Sequence, residues 1–217
     1  MTNSNPHQPK ISLYYHPWSR AVGVRWLLEE LGVDYDVRFV DLHQPGGIPE
    51  AHRAIHPHKK IPALDLDGQI LTERAAITIY LADRFSLGNL APNLDDPLRA
   101  NYLKMIVYND SVLDPSVALH FRKIVHTPAD FSFGAYADTL RALKAHFREH
   151  PFAAGSRFTA ADTQIASSLR FTIQQLQAVP EEPEFMAYLE RAFDRPAYRR
   201  SRELDAQLLQ AAHQRAS

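Results

Sequence analysis

"HPHKKIPALDLDGQILTERAAITIYLADRF", residues 56–85, changes its structural pattern halfway along. Short apolar runs flank Asp67-Gly68, a dipeptide suited to a tight turn because both residues tolerate positive φ. The stretch up to Leu71 is therefore expected to be an antiparallel hairpin, entered through Ile61-Pro62. "ERAAITIYLADRF" then reads as a helix.

Working outward, Ile11–Tyr15 is a β-branched and aromatic run, expected as a buried strand. Residues 20–31 carry Val22, Val24, Trp26, Leu27, Leu28 and Leu31, with Gly32 as a C-terminal stop, so they predict a helix. "VDYDVRFVDL" alternates Val33, Tyr35, Val37 and Phe39 with polar residues, the period of a half-buried strand. "QPGGIP" is a loop, and Pro49–Ile55 a short helix. The first 85 residues thus spell β-α-β-α-β-β-α. The two strands joined by a helix are expected to be parallel, through a right-handed crossover.

"SLGNLAPNLDD", 86–96, is turn-rich and reads as a linker. From Asp96-Pro97 onward only helices are expected. The first runs to about Phe121 and is expected to bend near Pro115. "HTPADFSFG" interrupts, and a further helix reaches His150. "FTAAD" then opens another, with Thr159 as its cap and Asp162 three residues later in a capping-box arrangement. More helices surround Pro183 and Pro196.

The 217 residues are 45% hydrophobic, enough for two small domains with real cores. A formal net charge of -1 gives no broad field for nucleic acid or an anionic membrane. The absence of cysteine excludes disulfides, thiolate-metal sites and catalysis by a protein thiol. "MTNSNPHQPK" reads as a loose tail rather than a signal peptide, and no stretch approaches the roughly 18 apolar residues of a membrane span. A cytoplasmic protein is expected. His52, His56 and His58 are read as surface histidines, since no HExxH-type pattern supplies further metal ligands.

The element order and four fragments in sequence resemble the cytosolic glutathione transferases, in their serine-type, bacterial-like branch. "HPWSRAVGVRWLLEELG" is similar to the family's catalytic strand-to-helix turn. The 56–85 stretch is similar to its glutathione-binding hairpin and following helix. "FTAADTQIASSL" resembles the capping box of its second domain, and "RPAYRRS" its C-terminal region. The resemblance implies a loose tail over 1–10 and a thioredoxin-like, glutathione-binding domain over 11–85. A linker over 86–96 and an all-α, electrophile-binding domain over 97–217 would follow. It implies a detoxifying transferase that conjugates the glutathione thiolate to a small hydrophobic electrophile, acting as a homodimer with no metal. Other glutathione chemistry (peroxidase, isomerase or dehalogenase) and a non-catalytic interaction module are the alternatives.

Glutathione carries two carboxylates, one ammonium and a thiol of pKa near 8.5. Each unit by which that thiol is lowered needs about 1.4 kcal/mol of preferential thiolate stabilisation. The resemblance assigns this to the Ser19 hydroxyl beside a helix N-terminus, with Tyr15 at the strand end as the alternative. It assigns glutathione binding to Lys60, Ile61, Pro62, Glu73 and Arg74. Pro62 corresponds to the family's cis-proline, Lys60 suits a carboxylate, and Glu73 the γ-glutamyl ammonium. Arg74 stands where serine is usual: its backbone N–H survives the change, and its guanidinium either pairs with the γ-glutamyl carboxylate or points into water. Tyr108, Val112, His120 and Phe121 are candidates for the electrophile pocket or for interhelical core.

Overall fold

The computed structural model describes residues 9–216, so most of the expected tail lies outside the described residues. The strands are β1 (Ile11–Tyr15), β2 (Asp36–Phe39), β3 (Ala63–Leu66) and β4 (Gln69–Thr72), in the spatial order β2-β1-β3-β4. β1 runs parallel to β2 and antiparallel to β3, and β3–β4 is the hairpin. Leu13 stands opposite both Val37 and Leu64 and is fully buried, which makes β1 the centre of the sheet. At the hairpin turn Asp67 and Gly68 take φ of 53° and 89°, as the dipeptide predicts.

Helix α1 (Val22–Leu31) connects β1 to β2, and a single 3₁₀ segment covers Glu50–Ala54. After β4 comes α2 (Arg74–Ser86). The remainder is helical: α3 (Arg99–Tyr108), α4 (Asp114–Phe121), α5 (Tyr136–Glu149), α6 (Ala160–Arg170), α7 (Pro183–Phe193) and α8 (Pro196–Ala216). The fold is a thioredoxin-like α/β domain followed by an all-α domain. No helix among the described residues is long and apolar enough to cross a membrane.

Three details refine or correct the sequence reading. The long helix over 97–121, expected to bend near Pro115, passes through a π-turn, Asn109–Leu113, just before that proline. Proline lacks the N–H that would bond one turn back, so the ladder widens ahead of it. Segment 86–96 is turn-rich, yet Leu90 and Ala91 are buried and the Ala160 N–H donates to the Leu90 carbonyl at 2.9 Å. His56, read as a surface residue, is buried.

The two parts join along α1, α6 and α8. A Cβ on Gly23 would stand 2.8 Å from the Thr163 carbonyl oxygen, so glycine is what lets α1 approach α6 so closely. Trp26, 1% exposed, sits against the rings of Phe158, Phe193 and Tyr198. The start of α6 is fixed by the expected capping box, in which Asp162 accepts the Thr159 N–H at 2.8 Å. The same carboxylate accepts the Ala153 N–H at 2.7 Å and the Tyr188 hydroxyl at 3.0 Å. Burial pushes Asp162 up to about 6, against the pull of those donors.

Candidate active site

The chain leaves β1 through His16-Pro17-Trp18-Ser19. His16 is buried, and its Nδ1 accepts the Trp18 N–H at 3.0 Å, which shapes the turn. Ser19 follows. Its hydroxyl donates to the His16 carbonyl at 2.7 Å and accepts the Ala21 N–H at 3.1 Å, directly ahead of α1. That places a rotatable hydroxyl beside the positive end of a helix, where a developing anion is favoured.

Tyr15 is elsewhere. Its side chain is fully buried, and its hydroxyl donates to Asp205 Oδ1 at 2.5 Å on α8. Burial first, and then the Asp205 charge, push the phenol far above its ordinary pKa. The same carboxylate oxygen binds Arg25 at 2.7 Å, while Arg202 holds the other at 2.9 Å. The alternative assigned to Tyr15 is therefore corrected: β1 alternates faces, and residue 15 falls on the core side with Ile11 and Leu13.

The hairpin residues do meet in one place. Lys60, Ile61, Pro62, Glu73 and Arg74 line a cleft of about 340 Å³, together with Arg20, His56, His58, Asp110 and Asp114. The Ile61-Pro62 bond is cis. The Lys60 carbonyl is 3.1 Å from His52 Nε2, and its ammonium makes no ion pair among the described residues. Glu73 takes φ of 67°, unusual for a residue with a Cβ, and turns the corner between β4 and α2 with its side chain exposed. Such strain is kept where the surrounding structure demands it, often at functional positions.

Arg74 departs from its expected role. Its guanidinium is buried and committed to protein: Nε donates to Asp110 Oδ1 at 2.8 Å, Nη2 to Asp110 and to Asp114 Oδ2 (2.8 Å), and Nη1 to Ser168 Oγ at 3.1 Å. Asp110 also accepts the Ala75 N–H at 3.0 Å. The ion cluster joins α2 to the π-turn and α4, so the side chain serves as a tie between the two domains. What it leaves to a ligand is the wall it forms and its own backbone N–H, one of the unpartnered first-turn donors of a helix.

Asp110 and Asp114 were not singled out in the sequence. The π-turn between them brings both carboxylates to the same arginine, and Asp114 Oδ1 is buried with no hydrogen-bond partner among the described residues. Their only signal is a four-residue acidic spacing ahead of Pro115.

A second cleft, of about 180 Å³, opens beyond Ser19 and shares Arg20 and Arg74 with the first. Its wall includes Trp18, Val22, Phe171, Gln174, Arg202 and Leu209. A second π-turn, Phe171–Gln175, supplies part of this wall. The expected pocket residues lie elsewhere: the Tyr108 hydroxyl donates to the Thr139 carbonyl, and His120 stacks on Tyr136 at 3.8 Å. No group of His, Cys, Asp or Glu side chains among the described residues is arranged to hold a metal ion.

Residues 9–83 match the family model for the glutathione S-transferase N-terminal domain. Glutathione S-transferase GstA of Escherichia coli O157:H7 is 26% identical over 193 residues, covering 86% of this chain and 94% of that protein. Maleylacetoacetate isomerase of Mus musculus is 32% identical over 85 residues, 38% of either chain. Among solved structures, the theta class glutathione S-transferase of the citrus canker pathogen Xanthomonas axonopodis pv. citri, with glutathione bound, superposes with a TM-score of 0.73. It is 27% identical, and the match covers 89% of this chain and 97% of that one. A hairpin cleft in the matched first domain, a helical second domain and a relative aligned along most of both chains give this protein the two-domain architecture of the cytosolic glutathione transferases and make it similar to them along most of its length.

Proposed function

We propose that the protein is a glutathione transferase that conjugates the glutathione thiolate to a hydrophobic electrophile. The observation that carries this reading is the meeting of the two clefts at Arg20 and Arg74, with Ser19, the residue before Arg20, in the wall of the second. Residues 11–85 bind glutathione, 97–217 supply most of the electrophile wall, and 86–96 join them. The extended middle of the tripeptide pairs with the backbone at Ile61-Pro62, as an added strand would. Lys60 meets the glycyl carboxylate. Glu73 meets the γ-glutamyl ammonium, while the Arg74 N–H faces its carboxylate. The Ser19 hydroxyl turns from the His16 carbonyl to the sulfur and holds it as thiolate.

Ser19→Ala tests the assignment. A hydrogen bond to a charged partner is worth about 1.5–3 kcal/mol, so turnover near neutral pH should fall roughly ten- to hundred-fold. The pKa of bound glutathione should rise, as read by thiolate absorbance in the ultraviolet. Tyr15→Phe should leave that pKa unmoved while lowering stability, because it removes the bond to Asp205. An unshifted thiol in Ser19→Ala would withdraw the role from the serine. Glutathione-dependent isomerisation is the second reading, favoured by the match to the mouse isomerase, which covers 38% of either chain.

A further inference from the structure

The two clefts differ in charge. In the glutathione cleft both signs are present, Arg20, Lys60 and Arg74 facing Glu73, Asp110 and Asp114, as suits a ligand with two carboxylates and an ammonium. The second cleft has Arg20, Arg74, Arg170 and Arg202 in its wall and no acidic residue. Arg20 and Arg74 are held by Asp110 and Asp114, which stand outside this wall. Arg202 shares Asp205 with Arg25, two cations on one carboxylate.

Arg170 contacts no carboxylate among the described residues; the Asp205 charge reaches it only from beyond ion-pair distance. Its Nη1 donates to the Tyr198 hydroxyl at 2.5 Å, and its guanidinium carbon lies 5.7 Å from the ring centroids of Phe193 and Tyr198. Among the described residues, every other buried or half-buried arginine pairs with an Asp or Glu. A half-buried cation without an anion is costly, and burial accordingly pulls Arg170 below its ordinary pKa, with Arg202 adding to the effect. The rest of the wall is uncharged: apolar side chains, two glutamines and three serines. Arg20 lies 4.6 Å over the Phe171 ring, which leaves a flat surface next to the cations.

We propose that the second cleft selects electrophiles carrying a carboxylate on an aromatic or unsaturated body, with Arg170 and Arg202 meeting the carboxylate and Phe171 and Leu209 the body. The proposal rests on the transferase reading and narrows its electrophile from hydrophobic to anionic and amphiphilic. With a chloronitrobenzoate the step balances as follows. The thiol proton passes to solvent, the thiolate sulfur attacks the ring carbon bearing chlorine, the C–S bond forms, and chloride leaves with the C–Cl electron pair. Arg170 and Arg202 act on the substrate's carboxylate and so set specificity.

The test compares 4-chloro-3-nitrobenzoate with neutral 4-chloro-3-nitrobenzamide, each kcat/KM divided by the uncatalysed rate with glutathione. The wild type should favour the carboxylate at least tenfold. Arg170→Gln should lower that ratio roughly ten- to hundred-fold, the worth of one or two charge-assisted bonds. Arg202→Gln should lower it too, and Arg170→Lys should restore part of it. Equal normalised rates in the wild type would overturn the proposal. So would an unchanged ratio in Arg170→Gln with native circular dichroism. If neither compound is turned over, calorimetry decides the cleft separately, using unreactive 3-nitrobenzoate and 3-nitrobenzamide without glutathione. Tighter carboxylate binding that Arg170→Gln abolishes would uphold the anion site, and equal binding would refute it. A parallel glutathione titration reports on the transferase reading itself.

Discussion

His16 and His56 each precede a proline, and in each the ring Nδ1 accepts the N–H of the residue after that proline, Trp18 and His58. An imidazole accepting there must be neutral, because protonation would set a second donor against the first. Both are buried, and burial is the leading cause that lowers each pKa from 6.5. The unfolded chain therefore takes up protons before the folded one does. The stabilisation from these residues is complete above about pH 6.5 and is lost as pH falls through their lower folded values, at up to about 1.4 kcal/mol per pH unit for each. Asp162 works the other way, since its raised value means its contribution is present in acid and lost as pH rises through about 6. Asparagine can form the same two-residue turn without titrating. Thermal melts of His16→Asn/His56→Asn should thus lose less midpoint than the wild type between pH 7 and 5.5. Parallel curves would disprove the linkage.

At the level of elements, Gly23 sets a distance. On an exposed helix, alanine for glycine would gain about 1 kcal/mol of propensity. Here the added methyl meets the Thr163 carbonyl oxygen at 2.8 Å, and a backbone oxygen inside α6 cannot step aside. Overpacking of this kind costs about 1–3 kcal/mol, so Gly23→Ala should lower the urea midpoint; a higher one would show that α1 and α6 can part. The elements themselves were legible in the sequence wherever period and punctuation agreed. Asp67-Gly68 marked the hairpin, Gly32 the end of α1, and Thr159 with Asp162 the start of α6. The hairpin side of the first cleft lies within one contiguous stretch and could be picked out; Arg20, Asp110 and Asp114, which complete it from distant segments, could not. Nor could the second cleft. Ser19, Phe171 and Leu209 converge from three distant segments, and no local pattern announces a π-turn. The tie made by the Arg74 side chain was not legible for a related reason: its partners, Asp110 and Asp114, stand 36 and 40 positions further along.

Over the whole molecule, the outer side of β4 and α2 is the face we propose for a homodimer. Leu71, Ala76, Ile79 and Tyr80 form an apolar patch there, edged by Asp83 and Arg84. Ala76 is exposed, so glutamate at that position should be tolerated by the fold. Sedimentation should show the wild type as a dimer and Ala76→Glu as a monomer; a monomeric wild type would end the idea. A different long-range tie has a temporal consequence. Tyr15 and Arg25 are made early in synthesis, but the carboxylate that both bind, on Asp205, is 190 residues from one and 180 from the other. At ribosomal speeds of about 5–20 residues per second, Tyr15 and Arg25 wait roughly ten seconds or more for that carboxylate. Until then Arg25 has the Tyr35 hydroxyl but no anion, so the α/β domain completes its ion pairing only once α8 has been made.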